Sequence, residues 1–167
     1  MYCLGGEIID TKRSTFMKVA NLITSILASV VLLGGDFMPL MLGFFSSLIS
    51  FAFYNSAELD KDMATYGMGT FAATLAILII FVVVLILSIV GFIVGRRSNK
   101  KFTVFYSIVI ALTAVGYGLA IPAAQFADDI MHTDGAYLGW PVCGLFFIPI
   151  MLILTVINAI VNRKKNA

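Results

Sequence analysis

The sequence predicts an all-α integral membrane protein: a bundle of four transmembrane helices with its N and C termini both on the cytoplasmic side. Three observations carry that expectation. Of 167 residues, 60% are hydrophobic and only 12% are charged. Soluble domains carry about 45–50% apolar and about 25% charged residues, so this chain has too little charge to cover a surface in water. Four apolar stretches approach or exceed the ~20 residues that a helix needs to cross the hydrocarbon. The basic residues form three clusters, and these share one side of the membrane only if the chain crosses four times.

The elements follow in order. Span one, about residues 16–35, holds Lys18, Asn21 and several Ser and Thr. Lys18, near its start, is expected to snorkel toward the headgroups. A basic start and an apolar middle give this segment the look of a signal peptide, but no small-x-small cleavage pattern follows, so it is read as a true span. The next apolar segment, about residues 37–54, lies between Asp36 and Asn55 and has Pro39 close to a helix N1 position. It is short for a crossing, and is expected to be an interfacial or re-entrant helix in the first outer loop. In helical projection Gly43, Ser46, Ser47 and Ser50 share one side, and Phe37, Met41, Phe44, Leu48 and Phe51 the other. With no charge on either side, capping of the bundle is expected over a membrane-surface role.

Span two, about 68–95, includes Leu75–Leu87, a run without a polar residue. A tight basic turn, Arg96–Lys101, leads to span three, about 102–126. The second outer loop, Ala127–Trp140, leads to span four, about 141–161. The whole is one membrane domain, with no internal repeat and no low-complexity tract. The basic clusters are Lys12, Arg13 and Lys18; Arg96, Arg97, Lys100 and Lys101; and Arg163, Lys164 and Lys165. A fifth crossing would strand the middle cluster on the wrong side. The same topology places Asp36, Glu58, Asp60, Asp62, Asp128, Asp129 and Asp134 outside, with Tyr54, Tyr66, Tyr137 and Trp140 at the outer interface. The expected location is the cell membrane, as a multi-pass protein.

Gly135-Ala136-Tyr137-Leu138-Gly139-Trp140, just before span four, is similar to the Gly-x-x-Leu-Tyr-x-Gly-Trp stretch at the same place in claudins, which are also two-in, two-out tetraspans. The claudin first loop carries a Trp–Gly-Leu-Trp–Cys–Cys signature, and the first outer loop here has neither Trp nor Cys. The resemblance is confined to that short stretch, and membership does not follow from it.

The residue types exclude several kinds of chemistry. Between their ends, the spans hold no Asp, Glu, Lys, Arg or His, the groups that proton relays, coupled carriers and intramembrane hydrolases need at depth. No GxxxxGK[ST] phosphate loop exists, and nothing indicates a nucleic-acid partner. Cys3 and Cys143 fall on opposite sides in this topology, so no disulfide is expected. Cys3 is either an ordinary thiol or a juxtamembrane acylation site. No catalytic residue, cofactor site or metal site is assigned.

What remains is contact chemistry. Asn21 and Asn158 lie at similar depth on spans one and four, and are expected to hydrogen-bond each other. Span three adds Thr113 and Tyr117. Pro149 in span four removes a backbone donor and frees the Leu145 carbonyl, which must find another partner. Interhelical bonding is the preferred reading of these polar groups, and the lining of a solute path the alternative. Ser107, Ala111, Ala114 and Gly118 make one small-residue face on span three; Gly116, Ala120 and Ala124 make a second. Gly91 and Gly95 give span two a close-approach face. Helices in lipid associate across such faces, and the first face of span three is expected to meet another chain. In the second outer loop, Asp128, Asp129, His132 and Asp134 could ligate a metal at helical spacing, but the spacing matches no motif; such acidic loops are usually just solvated, and docking of a basic partner is favoured over metal binding. The expected function is a non-enzymatic subunit, accessory or scaffold component of a membrane complex, with the bilayer and other membrane subunits or copies of itself as partners. The alternative is a small oligomeric channel or facilitator for a small solute.

Overall fold

The computed structural model describes residues 3–52, 61–132 and 134–165. They form α1 (Cys3–Ala52), α2 (Lys61–Arg97), α3 (Asn99–Met131), α4 (Gly139–Gly144) and α5 (Phe147–Lys165), with no strand among the described residues. Four stretches are long and apolar enough to cross a membrane: Lys12–Leu42, Phe71–Arg97, Asn99–Asp129 and Gly139–Val161, the last running through α4 and α5. The chain is therefore an all-helical protein with the makings of a multi-pass membrane bundle. α1 and α3 are central, each packing on every other helix, while α2 packs on α1 and α3.

The faces of α1 follow from one stripe. Ser14, Lys18, Asn21, Ser25, Ala28, Leu32 and Asp36 are all buried, at alternating steps of mostly four and three, which keeps them on one side of a helix. Val19, Ile23, Leu27 and Val30 are exposed on the opposite side. Apolar side chains facing outward around a partly polar interior suit a solvent of acyl chains, in which leucine gains nothing by hiding.

The segment expected to form a separate interfacial helix is, as far as Ala52, the continuation of α1. Residues 53–60 lie outside the described residues. Pro39 sits inside the helix and is fully buried. It removes one backbone donor without ending the helix, because the buried stripe carries on through Gly35, Asp36 and Pro39. That register also corrects the expected packing of the apolar side. Phe37, Met41, Phe44 and Leu48 are exposed, since they lie away from the stripe, although Phe44 touches Phe71 of α2 at 5.8 Å between ring centroids.

The α2–α3 turn is compact. Ser98 is extended (φ −148°) and its hydroxyl accepts from Lys101 N at 3.5 Å, capping α3. A Cβ on Gly95 would lie 2.7 Å from the Phe102 Cβ, and one on Gly91 2.9 Å from the Phe105 Cβ. Only glycine allows α3 to approach that closely. The break between α4 and α5 has its cause in Pro149. Phe146 N bonds Cys143 O and Ile148 N bonds Leu145 O, at 3.3 and 3.2 Å. These are the tighter i→i+3 bonds, and the carbonyl that the proline frees is satisfied by one of them.

Candidate functional site

The end of the bundle that carries the α2–α3 turn gathers polar groups between α1, α2 and α5. Asn21 Nδ2 donates to Thr155 Oγ1 at 3.0 Å, and Ser14 Oγ donates to Asn158 Oδ1 at 3.1 Å. Both carboxamides are fully buried. They tie α1 to α5 as expected, but not to each other. In the antiparallel pairing of these helices Thr155, one turn from Asn158, stands at the level of Asn21. Asn21 Oδ1 is left buried with no hydrogen-bond donor, a cost of roughly 1–3 kcal/mol in general.

Lys18 is turned into the bundle. It is 7% exposed, its Nζ donates to the Gly95 carbonyl at 2.7 Å, and it lies 5.7 Å from the centre of the Phe102 ring. Gly95 is in the last turn of α2, where carbonyls lack intrahelical donors and the helix dipole is negative, so a cation is held there favourably. Phe102 in turn stacks on Tyr106 at 4.3 Å between centroids. Lys18 thereby links α1, α2 and α3 at one level. Further along, Tyr106 donates to Ser88 O at 3.3 Å. Tyr117, fully buried, donates to Ala28 O at 2.6 Å and lies against Gly144. Thr113 is satisfied within α3, by Val109 O at 2.8 Å. These groups are engaged in holding helices together.

The small-residue faces divide cleanly. Gly91 and Gly95 are covered by Phe105 and Phe102 of the same chain. Gly116 faces Leu32 and Ile80, and Ala120 and Ala124 are buried. Ser107, Ala111, Ala114 and Gly118 are exposed, and nothing lies within 4 Å of where a Gly118 Cβ would be. Beside them, a groove of about 400 Å³ runs between Thr103, Ser107 and Ile110 of α3 and Thr155, Val156 and Ala159 of α5.

In the loop between α3 and α4, the Asp128 carboxylate accepts from Tyr137 N and Leu138 N, both at 3.0 Å, and is 8% exposed. It holds the loop closed over the end of α3. His132 adopts the left-handed conformation (φ 52°) and its N–H bonds Asp128 O, ending α3. Asp129, His132 and Asp134 are exposed, and Thr133 lies outside the described residues. Among the described residues no three His, Cys, Asp or Glu converge as metal ligands.

Sequence reasoning missed the buried hydroxyls Ser14, Ser25, Ser29 and Thr155 and the Gly144–Tyr117 contact. The spacing of Ser14, Lys18, Asn21, Ser25 and Ser29 was the signal for the first group. Nothing local announced the second. No protein-family model matches the chain, and no curated protein or solved structure matches it significantly.

Proposed function

We propose that the chain is a non-enzymatic component of a membrane complex, with both termini cytoplasmic in the cell membrane, acting through helix–helix contacts with other subunits or with copies of itself. One observation carries the reading. Of the two small-residue faces on α3, the stripe Ser107, Ala111, Ala114 and Gly118 stays open after the chain has folded, while Gly116, Ala120 and Ala124 are covered. Gly91 and Gly95 on α2 are likewise filled by the chain's own side chains. In lipid, close backbone approach across small residues is a principal source of association. The exposed residues of the outer loop, Asp129, His132 and Asp134, would offer an acidic docking point beside it.

Native mass measurement after gentle detergent extraction tests this. Gly118→Leu and Ala114→Leu should dissociate the assembly while the protomer keeps its melting temperature. An assembly that survives both changes would refute the stripe as the contact face. A second reading, a facilitator formed between protomers, is favoured by the partly exposed hydroxyls of Thr103 and Ser107 on the same side. Solute flux into liposomes that is lost with Ser107→Leu would support it over the first.

A further inference from the structure

The α3–α5 groove has a chemistry of its own. Its α3 wall is Thr103, Ser107 and Ile110, and its α5 wall includes Leu152, Val156 and Ala159. Extending each wall by one turn toward the Ser98 turn reaches Lys100 on α3, three residues before Thr103. On α5 it reaches Arg163, four residues beyond Ala159. Residues three and four apart share a helix face, so each wall continues into a base at the same end of the bundle. Lys100 is exposed, as are Arg96, Arg97 and Lys101 nearby. Lys164 and Lys165 follow Arg163 in α5. No acid lies in 96–107 or 151–167, and the acids of α3, Asp128 and Asp129, are at its other end.

We infer that this groove binds an anionic phospholipid, its headgroup at the basic end where Lys100 of α3 is exposed and α5 runs on to Arg163, and one acyl chain along Ile110, Leu152 and Val156. A groove of about 400 Å³ falls within the roughly 300–1,000 Å³ of ligand-sized clefts, and in a bilayer its apolar walls face acyl chains. Basic pockets between transmembrane helices recognise anionic headgroups by charge. The Thr103 and Ser107 hydroxyl protons are already used within α3, on Asn99 O at 3.1 Å and Thr103 O at 2.8 Å. Recognition therefore rests on charge, with little discrimination among anionic headgroups. The site belongs to the single protomer, and so does not depend on the assembly proposed above.

Native mass spectrometry of the full chain in detergent, titrated with dioleoyl phosphatidylglycerol or dioleoyl phosphatidylcholine, tests it. The first phosphatidylglycerol should bind about 25-fold more tightly than phosphatidylcholine, and Lys100→Gln and Arg163→Gln should each remove about fivefold of that preference, the worth of one base near an anionic surface. Ala159→Phe and, as a second variant, Thr103→Phe should weaken the first adduct of both lipids by filling the groove, with the melting temperature reporting that the bundle is intact. Equal binding of the two lipids would overturn the inference. So would a preference that survives loss of both bases, or a first adduct indifferent to both Phe variants. Lipid adducts confined to protomers and absent from assemblies would assign the groove to a second chain instead.

Discussion

Gly144→Ala places one methyl group where the structure has no room. A Cβ there would overlap the Tyr117 ring and lie 2.5 Å from its Oη. The ring cannot yield alone, because it is fully buried and its hydroxyl is tied to the Ala28 carbonyl at 2.6 Å. Overpacking of this kind costs about 1–3 kcal/mol, and the displaced hydroxyl forfeits an interhelical bond worth about 0.6–1.7 kcal/mol in a membrane bundle. The expected total is about 2–5 kcal/mol, or a melting temperature roughly 4–20 °C lower for a chain of this length. Two controls separate the causes. Tyr117→Phe removes the bond alone and should cost about 1 kcal/mol or less. Tyr117→Leu combined with Gly144→Ala should cost less than the two changes summed, because the shorter side chain vacates the contested space. Thermal unfolding of the purified protein in one detergent is the assay. Strict additivity, or a Gly144→Ala variant melting within 1 °C of the parent, would refute the reasoning.

Two other outcomes follow from contacts in the structure. Asn21→Leu and Thr155→Val should show a coupling of about 0.6–1.7 kcal/mol in a double-mutant cycle, whereas Asn21→Leu and Asn158→Leu should be nearly additive; the reverse pattern would restore a direct Asn21–Asn158 bond. Asp128→Ala removes the acceptor of two backbone N–H groups at 3.0 Å each and should cost about 2 kcal/mol, Asp128→Asn about half of that. Faster hydrogen exchange at the Tyr137 and Leu138 amides should accompany both variants, and unchanged exchange there would show that Asp128 does not close the loop.

The spans were legible because length and missing charge survive any detail of packing. Their faces were not. α2 is apolar on all sides from Leu75 to Leu87, and since lipid and core want the same residues there, only Thr74, Ser88, Gly91 and Gly95 mark the side that is buried. Asp36 and Pro39 read as a boundary because each costs an isolated helix stability; inside a bundle the same residues are buried on the stripe that begins at Ser14. Lys18 was assigned to the headgroups because a four-carbon stem reaches either way, and the open carbonyl of Gly95 that draws it inward belongs to a residue far along the chain. Phe105 and Phe102 lie against Gly91 and Gly95, and no spacing in α2 alone says that these side chains would fill that face. The same holds for Gly144, whose requirement is set by a tyrosine on another helix.

The central claim is a four-crossing bundle with both ends in the cytoplasm, and single cysteines in a Cys3→Ser, Cys143→Ser background test it most directly. With an impermeant thiol reagent on intact cells, cysteines at Ala57 and Thr133 should label, and those at Ser98 and Asn166 should label only after the cells are permeabilised. Labelling at Ser98 from outside would contradict the topology, and with it the basic, lipid-facing inner end on which the account rests.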